Sequence, residues 1–599
     1  MPDAPPGQPG RFATEGRAEI AAIVVTYLSA AHLATLIADL RREARDVALR
    51  VIVADNSPDD ATVRVARRHP DVIVVPTGGN LGYAGGVNAG LARAGDAEAV
   101  LVLNPDLSVR EGALRVMLAR LRADERRGAV VPRIVDETGR TARSLFREPG
   151  VLRALGDAAL GPLWPHRPGI LSESVRDARA YTRAHDVDWA TGAAVLLSAA
   201  AAARVGDWDE RFFLYSEETD ALRRVRDAGF TVHYAPEARV AHSQGGSGSS
   251  PALDALLAVN RVRYMRKHAP HRAAPYRAAL ILGAALRAPW SAPHRALLPV
   301  LRDERRWVDL PAATWRGGDS GPCAVAAVII PAHDEAAVIE RTLARLAVPA
   351  ASGAIDVVVV CNGCHDDTAA RARAFAGVRV IELAVGSKPA AINAGLEMTT
   401  TRPVLVLDAD IELPAAAIPG LVRALDGAGA VGGRPPFEYD LTGADALVRA
   451  YYRARRRMPH TSAALWGAGV YALTREGVSR VAPLPGVTAD DVHVDRSIAA
   501  HEKRIPPLAP VRVRVPLTAS ALRATLRRVR RGPAQQGVDT GRGTLAALLR
   551  TATTPARAWD AAVYAAFALI ARRDASGRIS RRGRWTDWER DTSTRPATA

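Results

Sequence analysis

The chain is poor in cysteine, with three in 599 residues, at positions 323, 361 and 364. That excludes a disulfide scaffold and suits a reducing compartment. Aromatic residues make up only 5%, and there is no RNA-recognition aromatic motif, zinc-finger spacing or basic zipper, so nucleic acid is not an expected partner. Two apolar runs, Leu280–Leu286 and Ala561–Ala571, fall well short of the roughly 20 residues that span a bilayer. The second, flanked by Trp559, Arg572 and Arg573, reads either as an interfacial segment or as a buried terminal helix. Met1–Gly16 is rich in Pro and Gly without an apolar centre, so residues 1–18 are expected to be a disordered tail and not a signal peptide.

What is abundant is positive charge. Eighty Lys and Arg against 63 Asp and Glu give a net charge of +17 and a pI near 10.4, which draws polyanions and anionic head groups. Arg is also ordinary in GC-rich genomes. Given the missing nucleic-acid motifs, nucleotide diphosphates and lipid phosphates are the better partners. The hydrophobic fraction of 48% and charged fraction of 24% are those of soluble globular protein. The length exceeds one core.

The same loop grammar occurs twice. Asn88-Ala89-Gly90 recurs 305 residues on as Asn393-Ala394-Gly395, Leu103-Asn104-Pro105-Asp106 returns as Leu407-Asp408-Ala409-Asp410, and Trp189-Ala190-Thr191-Gly192 as Trp466-Gly467-Ala468-Gly469. Apolar β-branched runs at Ile20–Thr26, Leu49–Ala54, Val72–Val75 and Ala99–Leu103 alternate with helical stretches such as Leu33–Arg42 and Ala61–Arg68. The second copy has Val325–Ile330, Ile355–Val360, Val378–Leu383 and Val404–Leu407. Continuous apolar strands separated by helices predict a parallel sheet covered on both faces. Ligands of such sheets bind beyond the carboxyl ends of the strands, where every polar loop named here falls.

Asp408 and Asp410, one residue apart after a buried strand, suit a hard divalent cation that in turn holds a diphosphate. An isolated D-x-D more often solvates a turn; repetition of its place favours function. In the first copy Asn104 brings no charge, leaving Asp106 as the principal carboxylate. Asp55-Asn56-Ser57 offers acceptors to a base edge and ribose, or caps the following helix. Asn80-Leu81-Gly82-Tyr83 and the run to Gly90 allow close backbone approach and lead into a helix N-terminus that favours phosphate; the counterpart is Gly386-Ser387-Lys388, with Lys388 a point charge for phosphate. Glu217-Glu218-Thr219-Asp220 crowds like charges, which raises a pKa, or fills a first helical turn. Cys361-Asn362-Gly363-Cys364 is a C-x-x-C without a second Cys/His pair, and a redox or zinc role is the minor reading.

In combination, Thr26-Tyr27, Asp55-Asn56, Asn80-Leu81-Gly82, Asn104-Pro105-Asp106, Trp189–Gly192 and Phe213–Asp220 resemble the family 2 glycosyltransferases, and within them bacterial rhamnosyltransferase-like enzymes. Asp334-Glu335, Asn362, Asp366-Asp367, Asp408-Ala409-Asp410 and Ala489-Asp490-Asp491 resemble the same family in its general form. The resemblance implies an α/β chain of two tandem GT-A, Rossmann-like domains, a nucleotide-diphosphate sugar as donor, Mg2+ or Mn2+, and inversion at the anomeric carbon. It places Glu218 and Asp491 at the general-base position. It gives Thr26, Tyr27, Asp55, Asn56, Asn80, Gly82, Asn88, Pro331, Asn362, Lys388 and Asn393 to the donor, and Asp106, Asn104, His242, Asp408 and Asp410 to the metal. Leu28 stands where the family often has Asn, and Cys361 where it has Asp. Arg527–Arg531 lies where processive relatives carry Gln-x-x-Arg-Trp, so polymer synthesis is not expected.

The expected domains are 19–270 and 322–537, joined by a helical connector over 271–321 and followed by a basic helical region over 538–599. The leading reading is a glycosyltransferase, bifunctional or tandem, of cell-envelope or polysaccharide synthesis. It would be cytoplasmic, acting on a lipid-linked or saccharide acceptor with contact at the inner membrane face. A second reading makes one domain a non-catalytic nucleotide- or glycan-binding lobe; nucleotidyl transfer ranks last. The tail Trp588–Arg595 has no assigned role, and the oligomeric state is left open.

Overall fold

The computed structural model describes residues 10–576 apart from 137, 162–163, 165, 243–249, 315–323, 428, 459–462, 487–488, 536–547 and 549. The first nine residues, Trp315, Cys323, the Ser243–Gly245 part of the His242 loop and the tail at 588–595 therefore lie outside the described residues, as do the side chains of Arg528–Arg531. The chain divides into two compact units, Met1–Thr314 and Trp315–Ala599.

In the first unit, strands β1 (Ala18–Thr26), β2 (Leu49–Asp55), β3 (Val72–Pro76) and β4 (Ala97–Leu103) are parallel neighbours. The sheet continues through β5 (Leu107–Val109), β6 (Arg127–Val135), β7 (His185–Val187), β8 (Ala194–Ser198) and β9 (Thr231–His242) in the order β3-β2-β1-β4-β8-β6-β9-β5, with β7 on β9. Alternate residues of β1 enter different cores. Ile20, Ala22 and Val24 pack with Leu33, Leu36, Ile37 and Leu40 of helix Ala30–Glu43, while Ala21, Ile23 and Val25 pack with Ala84 and Val87 of helix Gly82–Leu91. Both faces are covered, which is why the strand reads as one apolar run.

β8 runs antiparallel to β4, pairing Ala194 with Leu103. Its start therefore meets the carboxyl end of β4, and the Asn104 amide donates to the Ala193 carbonyl at 2.9 Å. This reversal carries the loop before β8 to the mouth where the parallel strands end.

The stretch expected as a helical connector packs on the first unit up to Thr314. The Tyr276 hydroxyl on helix Ala273–Arg287 donates to Glu173 at 2.8 Å, and Trp307 shares a core with Phe213, Leu256 and Val259.

The second unit repeats the plan with β10 (Ala326–Ala332), β11 (Ile355–Asn362), β12 (Val378–Leu383), β13 (Val404–Leu407), β14 (Gly432–Gly433), β15 (Val470–Leu473) and β16 (Lys503–Arg504), ordered β12-β11-β10-β13-β15-β14-β16. Again the antiparallel strand, β15, meets the end of β13, and the Asp408 amide donates to Gly469 at 2.8 Å. Helix Pro555–Ser576 buries Val563, Tyr564 and Phe567 against Tyr451 and Tyr452 of helix Ala446–Arg456, and Arg453 and Arg457 pair with its Asp560 at 2.6 and 2.9 Å. Of the two expectations for Ala561–Ala571, the buried helix is the one observed. Among the described residues no helix is long and apolar enough to cross a membrane.

Candidate functional site

At the mouth of the first sheet the chain makes a strained turn. Phe213, Tyr215 and Ser216 all have positive φ (62, 70 and 72°), a conformation costing side-chain-bearing residues on the order of 1–2 kcal/mol each. Asn260, wholly buried on helix Pro251–His268, holds it. Its amide nitrogen donates to the carbonyls of Phe212, Leu214 and Tyr215 at 2.6, 2.8 and 3.0 Å. The turn delivers Glu217 and Glu218 as the first residues of helix Glu217–Asp227. Asn260 had no sequence signal, being one polar residue in a helix. Asn260→Ala leaves buried carbonyls without a donor, a penalty of about 1–3 kcal/mol. Thermal unfolding should show that loss together with a fall in kcat, and an unchanged melting curve would contradict this assignment.

Glu218 lies against Gly192, where an added Cβ would stand 3.1 Å from the Glu218 Cβ. The carboxylate accepts from the Gly192 amide among other backbone groups, but burial dominates and raises its pKa. The expectation of a raised pKa holds with a different cause, since desolvation rather than crowding drives it. Asp220 is not part of a crowd, because Lys267 and His268 meet it at 2.6 and 2.7 Å and Arg224 at 2.9 Å. Glu217 is 4% exposed; burial, then the charge of Glu218, raises its pKa well above the ordinary value. The Oε2 atoms of both glutamates are buried, and among the described residues neither has a hydrogen-bond partner.

Asp106 and His242 form a pair, their Oδ2 and Nε2 3.3 Å apart. Burial pushes the Asp106 carboxyl up, but the hydrogen bond and charge of His242 outweigh it and hold the pKa below the usual value. Tyr83 links this pair to the glutamates. Its hydroxyl donates to the Gly192 carbonyl at 3.2 Å, and after burial the charges of Glu217, Glu218 and Asp106 act on it together. Asp106 and the two glutamates therefore all lie within electrostatic reach of the Tyr83 hydroxyl. Asp106 and His242, with Asn104 two residues before Asp106, are the residues here whose chemistry would suit a divalent ion.

The donor-loop residues divide. Asp55, 3% exposed, accepts from the Thr26 and Ser57 hydroxyls, both at 2.7 Å, while burial raises its pKa. Tyr27 is about half exposed, and Asn80 Oδ1 accepts from the Gly82 amide at 3.1 Å. Four residues expected at the donor have partners within the protein. Thr26 is fully buried on Asp55. Asn56 donates to the Gly82 carbonyl and accepts from Thr77. Asn88 donates to the Trp208 carbonyl and accepts from its amide at 2.9 and 2.8 Å, and Asn393 does the same with Leu484 at 3.0 and 2.8 Å. Side-chain amides paired at both ends staple distant stretches of chain together. Pro331 is buried inside β10 with no polar side-chain atom to offer.

In the second unit, Lys388, Asp408 and Asp491 line one small cleft with Gly469 and Tyr471. The Lys388 ammonium lies 2.7 Å from Asp408 and 3.0 Å from Asp490. Burial, opposed by Lys388 and joined by the charges of Asp490 and Asp410, pushes Asp408 up to about 6. Asp491 accepts from the Gly467 amide at 3.2 Å, and burial followed by the Asp490 charge raises its pKa. Asp410 is exposed at the rim. Asn362 is fully buried and donates to the Ala332 carbonyl at 2.8 Å. Where Thr26 pairs with Asp55 in the first unit, register puts Ala332 beside Cys361, so the second unit lacks that buried carboxylate.

One pH effect follows. Glu217 binds its proton more tightly folded than unfolded, so its stabilising contribution is complete below the ordinary value of 4.5 and is lost as pH rises through the raised one. Glu217→Gln is expected to flatten the decline in melting temperature as pH rises above the ordinary value of 4.5. An unchanged slope contradicts the burial of an unpartnered carboxyl.

The profile of glycosyl transferase family 2 matches residues 21–172 and 327–472. In its N-terminal part the chain is 33% identical over 298 residues to the N-acetylglucosaminyl-diphospho-decaprenol L-rhamnosyltransferase of Mycobacterium tuberculosis, covering 47% of this chain and 94% of that protein. It is 28% identical over 200 residues to a low-salt glycan biosynthesis hexosyltransferase of Haloferax volcanii, covering 32% and 58%. Among solved structures, a mannosyltransferase of Pyrobaculum calidifontis in complex with GDP-Man and Mn2+ aligns at 20% identity and a TM-score of 0.32, covering 50% of this chain and 99% of that one. With both repeats matched and nearly the whole rhamnosyltransferase covered, the chain belongs to glycosyl transferase family 2, as a glycosyltransferase of hexosyltransferase type.

Proposed function

We propose that the first unit, in the span 19–270, is an inverting, metal-dependent transferase that moves a hexose from a nucleotide-diphosphate donor to a lipid-linked or saccharide acceptor in envelope polysaccharide synthesis. The observation that carries this reading is the buried Glu218 Oε2, without a hydrogen-bond partner among the described residues, with Asp106 in electrostatic reach of the same Tyr83. Glu218 takes the acceptor hydroxyl proton as that oxygen attacks the anomeric carbon, and its raised pKa suits a base working near neutral pH. Asp106, with His242 beside it and Asn104 adjoining, would hold a Mg2+ or Mn2+ ion, whose charge stabilises the departing diphosphate. Asp55 and Tyr27, at the ends of β2 and β1, face the nucleoside end of the donor. The test is turnover of dTDP-, UDP- and GDP-sugars with Mn2+ or Mg2+, with and without a polyprenyl-diphosphate-linked acceptor. Transfer supports the reading; absence of both turnover and donor binding ends it.

In the span 322–537, Asp491, Asp408 and Asp410 support the same roles. A second reading, a nucleotide-binding lobe without transfer, is favoured there by Cys361 in the place of Asp55 and by the Lys388 ion pairs.

A membrane-resident acceptor needs a surface to meet it. Helix Ala273–Arg287 exposes Leu282 and Leu286, one turn apart, followed by Trp290, at 42, 47 and 79%. An apolar stripe with a terminal Trp on a strongly basic chain suits an anionic bilayer interface. Replacing all three by Glu is expected to abolish sedimentation with phosphatidylglycerol vesicles and leave donor hydrolysis intact; unchanged sedimentation overturns this placement.

A further inference from the structure

The two repeats differ in charge at one matched pair of positions. Counting back from Asn393 to Asn88, Lys388 falls on Tyr83, each in the first turn of the corresponding helix, Lys388–Glu397 or Gly82–Leu91. Asp408 falls on Asn104, each directly after the matching strand. The first unit therefore has a neutral pair, Tyr83 and Asn104, where the second has an ammonium and a carboxylate in contact at 2.7 Å.

The surroundings follow from that exchange. In the first cleft the Tyr83 hydroxyl donates to the Gly192 carbonyl, and Glu217 Oε2 is buried without a partner. In the second, Asp490 occupies the place of Glu217, as the first residue of its helix. It receives both Lys388 at 3.0 Å and the Tyr471 hydroxyl at 3.1 Å. Asp491 also acts on Lys388, and these carboxylates outweigh burial to keep the ammonium charged.

We propose that Lys388 is the resident counter-cation of the second carboxylate cleft. A divalent ion engages Asp408 there only by displacing it, whereas the first cleft has the neutral Tyr83 at the matching position and no ammonium to displace. The inference rests on reading both clefts as cation-assisted diphosphate sites. It reverses the ranking that residue types alone give, in which Asn104 makes the first site the weaker. The extra carboxylate of the second unit is already neutralised from within, and two charge-assisted contacts must be given up before a metal gains it. Once displaced, the same ammonium is free to meet a donor phosphate, coupling metal entry to donor entry.

The experiment is Mn2+ binding to the full-length chain, read by electron paramagnetic resonance without donor or turnover. The wild type is expected to show one tight site, lost in Asp106→Asn, and one weaker site, lost in Asp408→Asn. Lys388→Tyr, which imports the first unit's residue, should tighten the second site about ten- to a hundredfold. The reciprocal Tyr83→Lys should weaken the first by a similar factor, so the proposal stays falsifiable if one variant fails to fold. Equal affinities in the wild type, or a second site that Lys388→Tyr leaves unchanged or weakens, overturn it. If neither Asp106→Asn nor Asp408→Asn removes a bound Mn2+, the reading of the clefts as cation sites fails, and this proposal with it.

Discussion

Glu218→Gln is expected to lower the transfer rate of the first unit by about a hundred- to ten-thousandfold, with donor binding close to that of the wild type. The amide keeps the shape and the backbone contacts near Gly192 but cannot take a proton. Because the proposed role of Glu218 is toward the acceptor hydroxyl, the loss should fall on kcat and leave the donor KM nearly unchanged. The wild-type rate should rise with pH through a value above 4.5, since burial raises this carboxyl, and the variant should lose that limb. The assay uses the transfer reaction that Asp491→Asn leaves intact, so that the second unit does not mask the effect. A variant retaining more than about a tenth of the wild-type rate would remove Glu218 from the base role.

Gly82→Ala is the change expected to cost the most stability. Gly82 has a φ of 77°, and an added Cβ would stand 2.2 Å from the Phe213 carbonyl oxygen and 2.5 Å from its ring. That carbonyl also accepts from the Tyr83 amide at 2.7 Å, so neither backbone can retreat without breaking the contact between the donor loop and the turn carrying Glu218. Left-handed strain of about 1–2 kcal/mol and overpacking of about 1–3 kcal/mol act together. Calorimetry should show the first unit melting several degrees lower, and transfer should fall with it. A variant with unaltered melting and activity would mean that this loop and turn are not held in register.

Much of this was legible in the sequence because each strand is buried on both faces. The runs at 20–26, 49–54 and 404–407 have no polar alternation to hide them, and the repeated loops fixed which ends matter. Asp106, Glu218, Asp408 and Asp491 were legible as carboxylates after strands or at helix starts.

The asparagines were harder, because Asn88 and Asn393 sit in Gly-rich ligand-like loops yet pair with backbone more than 90 residues away, a contact that no local pattern announces. Asn260 and Tyr83 were missed for the same reason, since their partners come from distant segments of the chain. Cation pairing of Asp220 by Lys267 and His268 likewise depends on how helix Pro251–His268 packs, so the acidic run looked more crowded than it is.

The central claim is that Glu218 activates the acceptor from the face of the sugar opposite the departing diphosphate. The anomeric configuration of the first-formed product, read from its one-bond C1–H1 coupling by NMR against that of the nucleotide-sugar donor, tests it most directly. The proposed base role of Glu218 predicts inversion, abolished together with transfer in Glu218→Gln. A product that retains the donor configuration would contradict it, because retention requires the incoming oxygen on the face that the diphosphate leaves.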